Sequence, residues 1–400
     1  MGVAEARSDV ARASVSPGDA TAAGTSIDAF GLDLYRAIAK SGTNIVISPA
    51  SIGIALAMAR AGARGDTATQ MDAVMRSLGT DQGAAGINAL AQALSSRSGT
   101  FKDMMGGSHD LTLRIANAPY VQQGLNLQPG FLDALASRFG AGIRLVDYKK
   151  DPEAARQLIN GWVSDQTEKR IPQLLAQGTV DDLTRLMLVN AIYLKAPWAT
   201  PFNVAATATK PFIRADGSTV SVPTMATGGE LAYAKGSGWQ AVELPYLGQS
   251  LAMTLILPDD MSAFTTGLDS GLFGQIVSGL STAEVDLSLP RFSIETATDL
   301  AQTLGAMGMP IPFDPNRADF SGISTDEPLY ISHVIHQANI SVDEKGTEAA
   351  AATAVGISAG AAPLQQVVLK LDHPFLFALR DVQTGAILFL GQVADPSATS

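Results

Sequence analysis

The order of the periodic segments predicts an α+β fold. Segments with helical spacing of apolar residues dominate the first half of the chain, and segments with strand character dominate from about Phe212 onward. No regular strand–helix alternation, internal repeat or linker divides the 400 residues. Leu186 to Leu194 is nearly continuously apolar, which is typical of a strand buried on both faces. We therefore expect a single domain over residues 26–396.

Capping residues and apolar spacing locate the helices. Ile27, Phe30 and Leu34 fall on one side of the first helix, and a proline stands at the first helical position after Ser48. Helices are predicted at 27–40, 49–62, 67–75, 88–94 and 129–139, and from 152 onward behind the cap Asp151. Residues 1–25, rich in Ala and Ser, are predicted to form a disordered leader.

Short runs of apolar or alternating residues locate the strands. They are predicted at 44–47, 111–120, 186–194, 220–225, 241–244, 251–257, 285–289, 330–342, 367–371, 375–380 and 387–393. Most of them follow the helices in the chain, which is the order expected of an α+β fold.

The composition excludes several classes of function. The net charge of −11 argues against nucleic acid, anionic membranes and heparin-type polyanions as partners. No apolar run is long enough to cross a bilayer, and no cysteine is present for a disulfide or thiol chemistry. The first residues lack the apolar centre of a signal peptide, although a removed signal would leave the same sequence. We expect an extracellular or periplasmic monomer without a cofactor, and a cytoplasmic location is the alternative.

One stretch near the C-terminus, residues 342–363, suits both a loop and a strand. After Glu348 it carries no charged residue until Lys370, and its interior side chains are small. In a strand one face would carry Thr347, Ala349, Ala351, Thr353, Val355 and Ile357. As a loop the segment would be easily cleaved, and as a strand it would fit between two others. A protease inhibitor that works by loop insertion needs this combination.

A flexible linker is the simpler interpretation of an Ala/Gly/Ser stretch. A linker requires a domain on each side, and only about forty residues follow this one, too few for an independent core. We therefore predict that the strands after it pair with the rest of the fold.

The patterns that could indicate an enzyme or a metal site are weak. The motif G-x-S-x-G surrounds Ser358, but no strand–turn–helix context accompanies it. His333 and His336 would face opposite sides of a strand, which disfavours a shared metal ion. We expect His336 to be a buried residue that forms hydrogen bonds with its neighbours. Asn339 begins a glycosylation sequon, but it lies inside a predicted strand.

Six segments, in order, resemble the motifs of the serpin family. They are Asn44–Ser51, Ile159–Val163, Leu188–Lys195 followed by Trp198, Asp319–Ile323, Asp343–Ala350 and Leu371–Phe377. The resemblance covers the chain from about Ile27 to Pro396 and is strongest for an inhibitory, prokaryotic member. It implies a helical N-terminal part, three β-sheets and an exposed reactive-centre loop at about residues 344–363. One departure is Lys169, which stands where the family usually has a turn glycine.

The resemblance implies a suicide-substrate mechanism. A target serine protease would cleave the loop and form a covalent acyl-enzyme. The freed loop would then insert as a central strand of the large sheet and trap the protease. Roughly fourteen inserted residues, at about 3.3 Å each, would carry the protease some 45 Å. The native state must then be metastable and held back kinetically.

The resemblance also assigns site residues. A polar lock on sheet opening maps onto Ser48, Ser51, Asn190 and His336. We expect His336 to bond Asn190 or the two serine hydroxyls, although these serines also suit simple helix capping. Insertion is expected to start at Trp198, Arg291 and Glu344, with Glu344 and Arg291 forming an ion pair. The hinge comprises Glu344, Gly346, Thr347, Glu348, Ala349, Ala350, Ala351 and Ala352, with Gly346 as the pivot and Thr347 the first to enter the sheet.

In the family that the chain resembles, the reactive bond lies sixteen residues beyond the hinge glutamate, so the resemblance implies Gly360–Ala361 when counted from Glu344. Cleavage at Ala359, Ile357 or Ser358 is the alternative. No Arg, Lys or aromatic residue lies between positions 346 and 369, so trypsin-like and chymotrypsin-like pockets would find no partner. Elastase-like or subtilisin-like serine proteases are the expected targets. A serpin-fold binding or storage protein that does not inhibit is the alternative function, and a hydrolase using Ser358 is the third.

Overall fold

The computed structural model describes residues 4–78, 80–347 and 365–398. Within these ranges the helices are α1 (Pro17–Ile38), α2 (Pro49–Arg60), α3 (Gly65–Val74), α4 (Asp81–Ser95), α5 (Pro129–Ala134), α6 (Pro152–Gln166), α7 (Met261–Gly267), α8 (Ser270–Ser278) and α9 (Ala301–Ala306). A π-helical segment (Leu135–Phe139) continues α5, and 3₁₀ turns occupy Val204–Ala206 and Ile311–Phe313.

The same described residues also form the strands of the fold. They are β1 (Ala4–Ala6), β2 (Ile45–Ile47), β3 (Gly99–Lys102), β4 (Ser108–Gln122), β5 (Ile143–Val146), β6 (Leu186–Pro197), β7 (Ala208–Ile213), β8 (Thr219–Gly236), β9 (Trp239–Pro245), β10 (Leu251–Pro258), β11 (Ser281–Pro290), β12 (Phe292–Asp299), β13 (Ile331–Asp343), β14 (Gly346–Thr347), β15 (Gln366–Lys370), β16 (Phe375–Asp381) and β17 (Ile387–Val393). Each predicted helix and strand has a counterpart here. The sequence did not predict β1, β3, β5, β7, β12 or α7 to α9.

Hydrogen bonding joins the described strands into two sheets. Sheet A has the order β1-β5-β4-β6-β14-β13-β12, with β3 beside β4. Sheet B has the order β15-β11-β8-β9-β10-β16-β17-β2, with β7 beside β8. The α+β prediction is confirmed. Two sheets stand where three were expected because β8 is 18 residues long and runs without a break from β7 and β11 to β9.

Sheet A is covered on both faces. Helix α2 is buried along nearly its whole length and contacts β4, β6 and β17. Helix α6 covers the opposite face, where Ile159 and Val163 join a second apolar cluster with Val189 and Ala191 of β6. This double covering explains why the sequence of β6 is apolar at successive positions.

The N-terminal segment is ordered, in contrast to the predicted leader. Ala4–Ala6 pairs antiparallel with β5 at the edge of sheet A, and α1 begins at Pro17, well before the predicted start. The small residues of this helix are buried by close approach. Ala23 is buried, and a Cβ on Gly24 would lie 2.5 Å from the carbonyl oxygen of Thr384. The scarcity of large apolar side chains here reflects tight packing.

The turn after α6 keeps a left-handed backbone without glycine. Glu168 and Lys169 have φ values of 50° and 65°. Thr167 supports the turn, because its hydroxyl donates to the Val163 carbonyl at 2.9 Å and accepts from the backbone N–H of Ile171 at 3.1 Å. Lys169 therefore adopts, at some steric cost, the conformation that glycine would adopt freely.

Candidate functional site

The upper part of sheet A contains the start of an additional central strand. β6 and β13 pair directly and in parallel along Leu186–Ile192 and Ile331–Ala338. Beyond this ladder β14 separates the two strands and pairs antiparallel with each. Thr347 aligns with Ala196 on β6 and with Val342 on β13. Sheet A therefore holds two residues of β14 at one end, has three positions on each strand below them where β6 and β13 do not pair, and is closed from Ile192 and Ala338 downward.

Gly346 fits between the strands only because it has no side chain. Its φ is +148°, a backbone conformation that other residues rarely adopt. A Cβ at this position would lie 2.2 Å from the carbonyl oxygen of Ala196 and 2.7 Å from the Cα of Pro197. Both contacts are with the backbone of β6, which cannot move aside without disturbing the sheet. Glycine at this hinge position is therefore required for close approach.

Thr347 is already buried within the sheet, with 1% of its surface exposed. Its hydroxyl shares a 2.6 Å hydrogen bond with the buried phenol of Tyr246. Burial raises the pKa of Tyr246, so the phenol keeps its proton. The Tyr246 ring stacks on Trp198 with 4.4 Å between centroids. The sequence assigned Thr347 to the first step of insertion. In the structure Thr347 lies between β6 and β13, and its role in insertion stays a prediction.

Glu344 is anchored beneath the hinge by an ion pair. Arg291 donates to its Oε1 from Nε at 2.9 Å and from Nη2 at 2.6 Å. The hydroxyl of Thr207 donates to the same oxygen. Burial acts to raise the pKa of the Glu344 carboxyl, but these hydrogen bonds outweigh burial and hold the pKa below its usual value. Glu344 is therefore charged at neutral pH and ties the hinge to the residue before β12.

Trp198 holds the backbone that leads into the hinge. Its indole N–H donates to the Asp343 carbonyl at 2.9 Å, and its backbone N–H donates to the Lys345 carbonyl at 2.9 Å. The backbone N–H of Phe202 donates to the Glu344 carbonyl at 2.8 Å. The three successive carbonyls from Asp343 to Lys345 are thus fixed by the chain that follows β6.

A polar cluster joins β6 and β13 lower in the sheet. The ring of His336 is fully buried, and its Nε2 accepts a 3.1 Å hydrogen bond from the backbone N–H of Ser48. The other nitrogen, Nδ1, donates to Oδ1 of Asn190 at 2.5 Å. Burial lowers the pKa of His336 to about 3, so the imidazole is neutral. Because His336 and Asn190 are register partners, this bond links the two strands that β14 separates above.

The serine hydroxyls of the expected lock bond elsewhere. The Ser48 hydroxyl accepts from the backbone N–H of Ser51 and caps α2 at its N-terminus. The Ser51 hydroxyl donates to Oδ1 of Asn117 on β4 at 2.9 Å. Of the two expected alternatives for His336, the bond to Asn190 is therefore confirmed, and Ser48 contributes its backbone N–H and not its hydroxyl. The helix-capping alternative for Ser48 is confirmed.

Three residues of the site were not found by sequence reasoning. Thr207, Tyr246 and Asn117 contact the hinge glutamate, the hinge threonine and Ser51, respectively. Each is an ordinary residue type, distant in the chain from its partner, and no periodic pattern marks it. The one available signal is position, since Tyr246 directly follows the strand β9.

The reactive bond lies outside the described residues. This holds for Gly360 and Ala361, for the alternatives Ala359, Ile357 and Ser358, and for the hinge residues Glu348, Ala349, Ala350, Ala351 and Ala352. Their assignment stays a prediction from the sequence.

The remaining sequence patterns meet structural partners. His333 pairs with Asp299 at 2.6 Å, whereas His336 points into the core. His373 pairs with its neighbour Asp372 at 2.9 Å. Within the described ranges no group of three or more His, Cys, Asp or Glu side chains could hold a metal ion. In the same part of the chain, no helix has the length and apolar character needed to span a membrane.

Comparison with known proteins agrees with this geometry. A family profile described as Serpin (serine protease inhibitor) matches residues 25–396. Plasminogen activator inhibitor 1 from Sus scrofa is 37% identical over 378 residues, which cover 92% of this chain and 91% of that protein. Leukocyte elastase inhibitor from Homo sapiens is 35% identical over 381 residues, which cover 92% and 97%. The native state of the thermophilic serpin tengpin superposes with a TM-score of 0.85 at 26% identity, covering 99% of this chain and 100% of tengpin.

The family and its relatives define the general activity. The matched family is described as serine protease inhibitors, and both relatives are named as inhibitors. This supports serine protease inhibition in general, with a serine protease as the partner. On the profile match and the identity to curated relatives over nearly the whole chain, the protein belongs to the serpin family.

Proposed function

We propose that this serpin is a suicide-substrate inhibitor of elastase-like or subtilisin-like serine proteases. The protease serine would attack the carbonyl carbon of Gly360 to form an acyl ester, and the amine of Ala361 would leave. The observation that carries the proposal is the placement of Gly346 and Thr347 between β6 and β13. The same two strands are paired directly lower in the sheet, so a site for one more strand is already begun.

The register of β14 indicates how insertion would continue. Since Thr347 aligns with Ala196 and Val342, each further residue would align one position lower on β6 and on β13. Residues 193–195 and 339–341 do not pair with each other, so the next three residues can enter without breaking bonds between β6 and β13. From residue 351 onward, each step would exchange a bond between β6 and β13 for pairing with the inserted strand.

The composition of residues 349–362 supports both loop insertion and the proposed class of target protease. From Ala349 to Ala362 the sequence has no charge, proline or aromatic residue to resist entry into the sheet. The same small and aliphatic side chains match the shallow pocket of an elastase or a subtilisin. One relative carries the name leukocyte elastase inhibitor, which is consistent with such a target.

The test is a panel of trypsin, chymotrypsin, an elastase and a subtilisin. We expect complexes that survive SDS with the elastase or the subtilisin, accompanied by a small C-terminal fragment beginning at Ala361. Gly360→Arg should shift complex formation toward trypsin. Cleavage without stable complex by every enzyme would favour the binding or storage alternative, and stable complex with trypsin alone would refute the target class.

A pair of variants separates insertion from cleavage. Ala349 would occupy the face of Thr347, between the buried Leu194 and Ile340, so Ala349→Arg would bury an unpaired charge. Ala350→Arg, the matched control, would place the same charge on the opposite face, beside the partly exposed Asn339. We expect Ala349→Arg to be cleaved with loss of stable complex, and Ala350→Arg to retain most of it. Equal complex yields would show that the loop does not insert in this register.

A further inference from the structure

A cavity of about 240 Å³ lies on one face of sheet B, where β7, β8 and β11 meet the end of β15. The buried side chains of Phe212 and Leu371 contribute to its walls, and lysine, serine, threonine and aspartate side chains supply polar atoms. This volume is below the range of about 300–1,000 Å³ that holds drug-sized ligands. The cavity therefore suits a small ion or a compact polar molecule.

The register of the sheet places two lysines and two hydroxyls on the same face. Lys370 of β15 aligns with Ser288 of β11. Thr224 of β8 aligns with Pro290, two residues beyond Ser288. Lys210 of β7 aligns with the residue two positions before Thr224. Because alternate residues of a strand share a face, the two lysines and the two hydroxyls lie on one side of the sheet and line one cavity.

The side chain of Lys210 reaches across the sheet toward the strand beside Lys370. Its Nζ donates to Oγ of Ser288 at 3.1 Å, so it crosses β8 to reach β11. Ser288 is the register partner of Lys370, which lines the same cavity from the next strand. Two positive charges are therefore held at one small cavity, an arrangement that is unfavourable unless an anion lies between them.

Neither lysine has a counter-ion within the part of the chain that the structure describes. Lys210 bonds the neutral hydroxyl of Ser288, and Lys370 forms no ion pair with a described carboxylate. Asp372 also lines the cavity, but its Oδ1 pairs with Nδ1 of His373 at 2.9 Å. Carboxylates are in surplus in a chain of net charge −11, so two unpaired cations at one cavity favour an external anion.

We propose that this cavity binds a tetrahedral oxyanion, either inorganic phosphate or the phosphoryl group of a small monoester. The ammonium groups of Lys210 and Lys370 would each pair with an oxygen of the anion. The hydroxyl of Ser288 accepts from Lys210 and would donate to a third oxygen. Lysine binds phosphate as a point charge, so this pair does not need the planar geometry of an arginine fork.

An oxyanion held by both lysines would connect β15 to β7. β15 lies at the edge of sheet B and, among the described strands, pairs with β11 alone. Val368 in its middle is 63% exposed. The bound anion should therefore reduce local opening of β15. This strand follows the segment that carries the predicted reactive bond, but binding of the anion does not depend on the proposed inhibitory function.

The first experiment is calorimetric titration of the intact chain without protease, at constant ionic strength and about pH 8, where a phosphate monoester is a dianion. The probes are inorganic phosphate, glycerol 3-phosphate, acetate and chloride. We expect both phosphates to bind at least about tenfold more tightly than acetate, and chloride not to bind. Tighter binding of glycerol 3-phosphate would identify a monoester as the ligand, and tighter binding of inorganic phosphate would identify the free anion.

The second experiment locates the site with matched variants. Lys210→Gln and Lys370→Gln should each weaken phosphate binding about tenfold or more, since each removes one charge-assisted hydrogen bond. Lys235→Gln is the control, because it removes an equal charge from an exposed position on β8 that does not line the cavity. Asp372→Asn should tighten phosphate binding about two- to fivefold, because it removes a negative charge at the cavity and keeps the hydrogen-bonding capacity.

The third experiment follows β15 directly. Phosphate should slow amide hydrogen exchange in residues 366–370 of the parent and not in Lys370→Gln. Equal affinities for phosphate and acetate, unchanged phosphate affinity in both lysine variants, or absence of phosphate binding would overturn the site. Unchanged exchange with phosphate bound would overturn its link to β15. Since no protease is present in these measurements, this inference and the inhibitory function can fail independently.

Discussion

Replacing His336 with glutamine should remove an acid sensitivity from the opening of sheet A. In the closed sheet the pKa of His336 is about 3, because the ring is buried between Asn190 and the backbone of Ser48. When β6 and β13 separate, the ring meets water and its pKa returns toward the ordinary value of 6.5. Above pH 6.5 the ring is neutral in both states and adds no pH dependence. As the pH falls below 6.5, only the opened state gains a proton, so opening becomes easier until the closed state also protonates near pH 3.

The magnitude follows from these two pKa values. At about pH 5 the opened state is favoured roughly 30-fold relative to pH 7.5, which corresponds to about 2 kcal/mol. If the opened state resembles the barrier to spontaneous loop insertion, the intact inhibitor should be lost up to about 30 times faster at pH 5. The assay is the fraction of protein that still forms SDS-stable complex after timed incubation at a fixed warm temperature, followed across pH 5 to 7.5.

His336→Gln is the informative variant, because an amide can donate to Asn190 and accept from the Ser48 N–H without titrating. It should show a nearly flat pH profile. His333→Gln is the control, since this histidine lies on the same strand but pairs with Asp299 at the edge of the core, and it should keep the acid acceleration. An equal pH profile in the His336 variant and the parent would refute the assignment of His336 to sheet opening.

Three further predictions concern the hinge and one turn. Gly346→Ala should displace the hinge and lower the thermal unfolding midpoint, since the added Cβ would lie 2.2 Å from the backbone of β6. Gly229→Ala is the control, because Gly229 has a similar φ of +145° but open space around it, and it should change the midpoint less. Glu344→Gln should lower the free energy of unfolding by about 1 kcal/mol near neutral pH, a value reduced because Arg291 is partly exposed. The difference between variant and parent should shrink as the pH falls below 4.5, because the lowered pKa of Glu344 stabilises the fold only while the carboxyl is charged. Parallel pH profiles of the unfolding midpoint in variant and parent would contradict this. Lys169→Gly should raise the midpoint, with a gain of about 1 kcal/mol from relief of the left-handed φ of 65°, and a lower midpoint would show that the turn is not strained.

The sequence predicted those parts of the site that family motifs contain. The Glu344–Arg291 pair and the approach of His336 to Asn190 both appear in the structure. The bond from the backbone N–H of Ser48 to His336 was not predicted, because a motif identifies residues and does not distinguish a hydroxyl from a backbone N–H. Tyr246 was missed since its role depends on stacking against Trp198, a contact between two residues that directly follow strands of different sheets and that no local pattern encodes.

The prediction of a disordered leader was wrong, and the physical reason for this also applies to the hinge. Sequence reasoning associates burial with large apolar side chains, whereas Gly24 and Gly346 are buried because backbones approach closely around them. Small residues therefore carry two opposite meanings, disorder and tight packing, and only the surrounding backbone distinguishes them. Under the proposed mechanism this ambiguity is useful at the hinge, since the same segment would have to suit a loop before cleavage and a strand afterward.

The register of β14 predicts which residue of the inserted strand would reach the polar cluster of His336 and Asn190. If insertion continues from Thr347 without a shift, Thr353 would align with Asn190 on β6 and His336 on β13. It would share their face of the sheet, because it lies six residues beyond Thr347. The inserted strand must break the His336–Asn190 bond at that step, and a threonine hydroxyl can both donate and accept in its place. An alanine there would leave buried polar groups unpaired at a cost of about 1–3 kcal/mol. The single polar residue between Ala349 and Gly356 thus lies where the opened sheet would need a hydrogen-bonding partner.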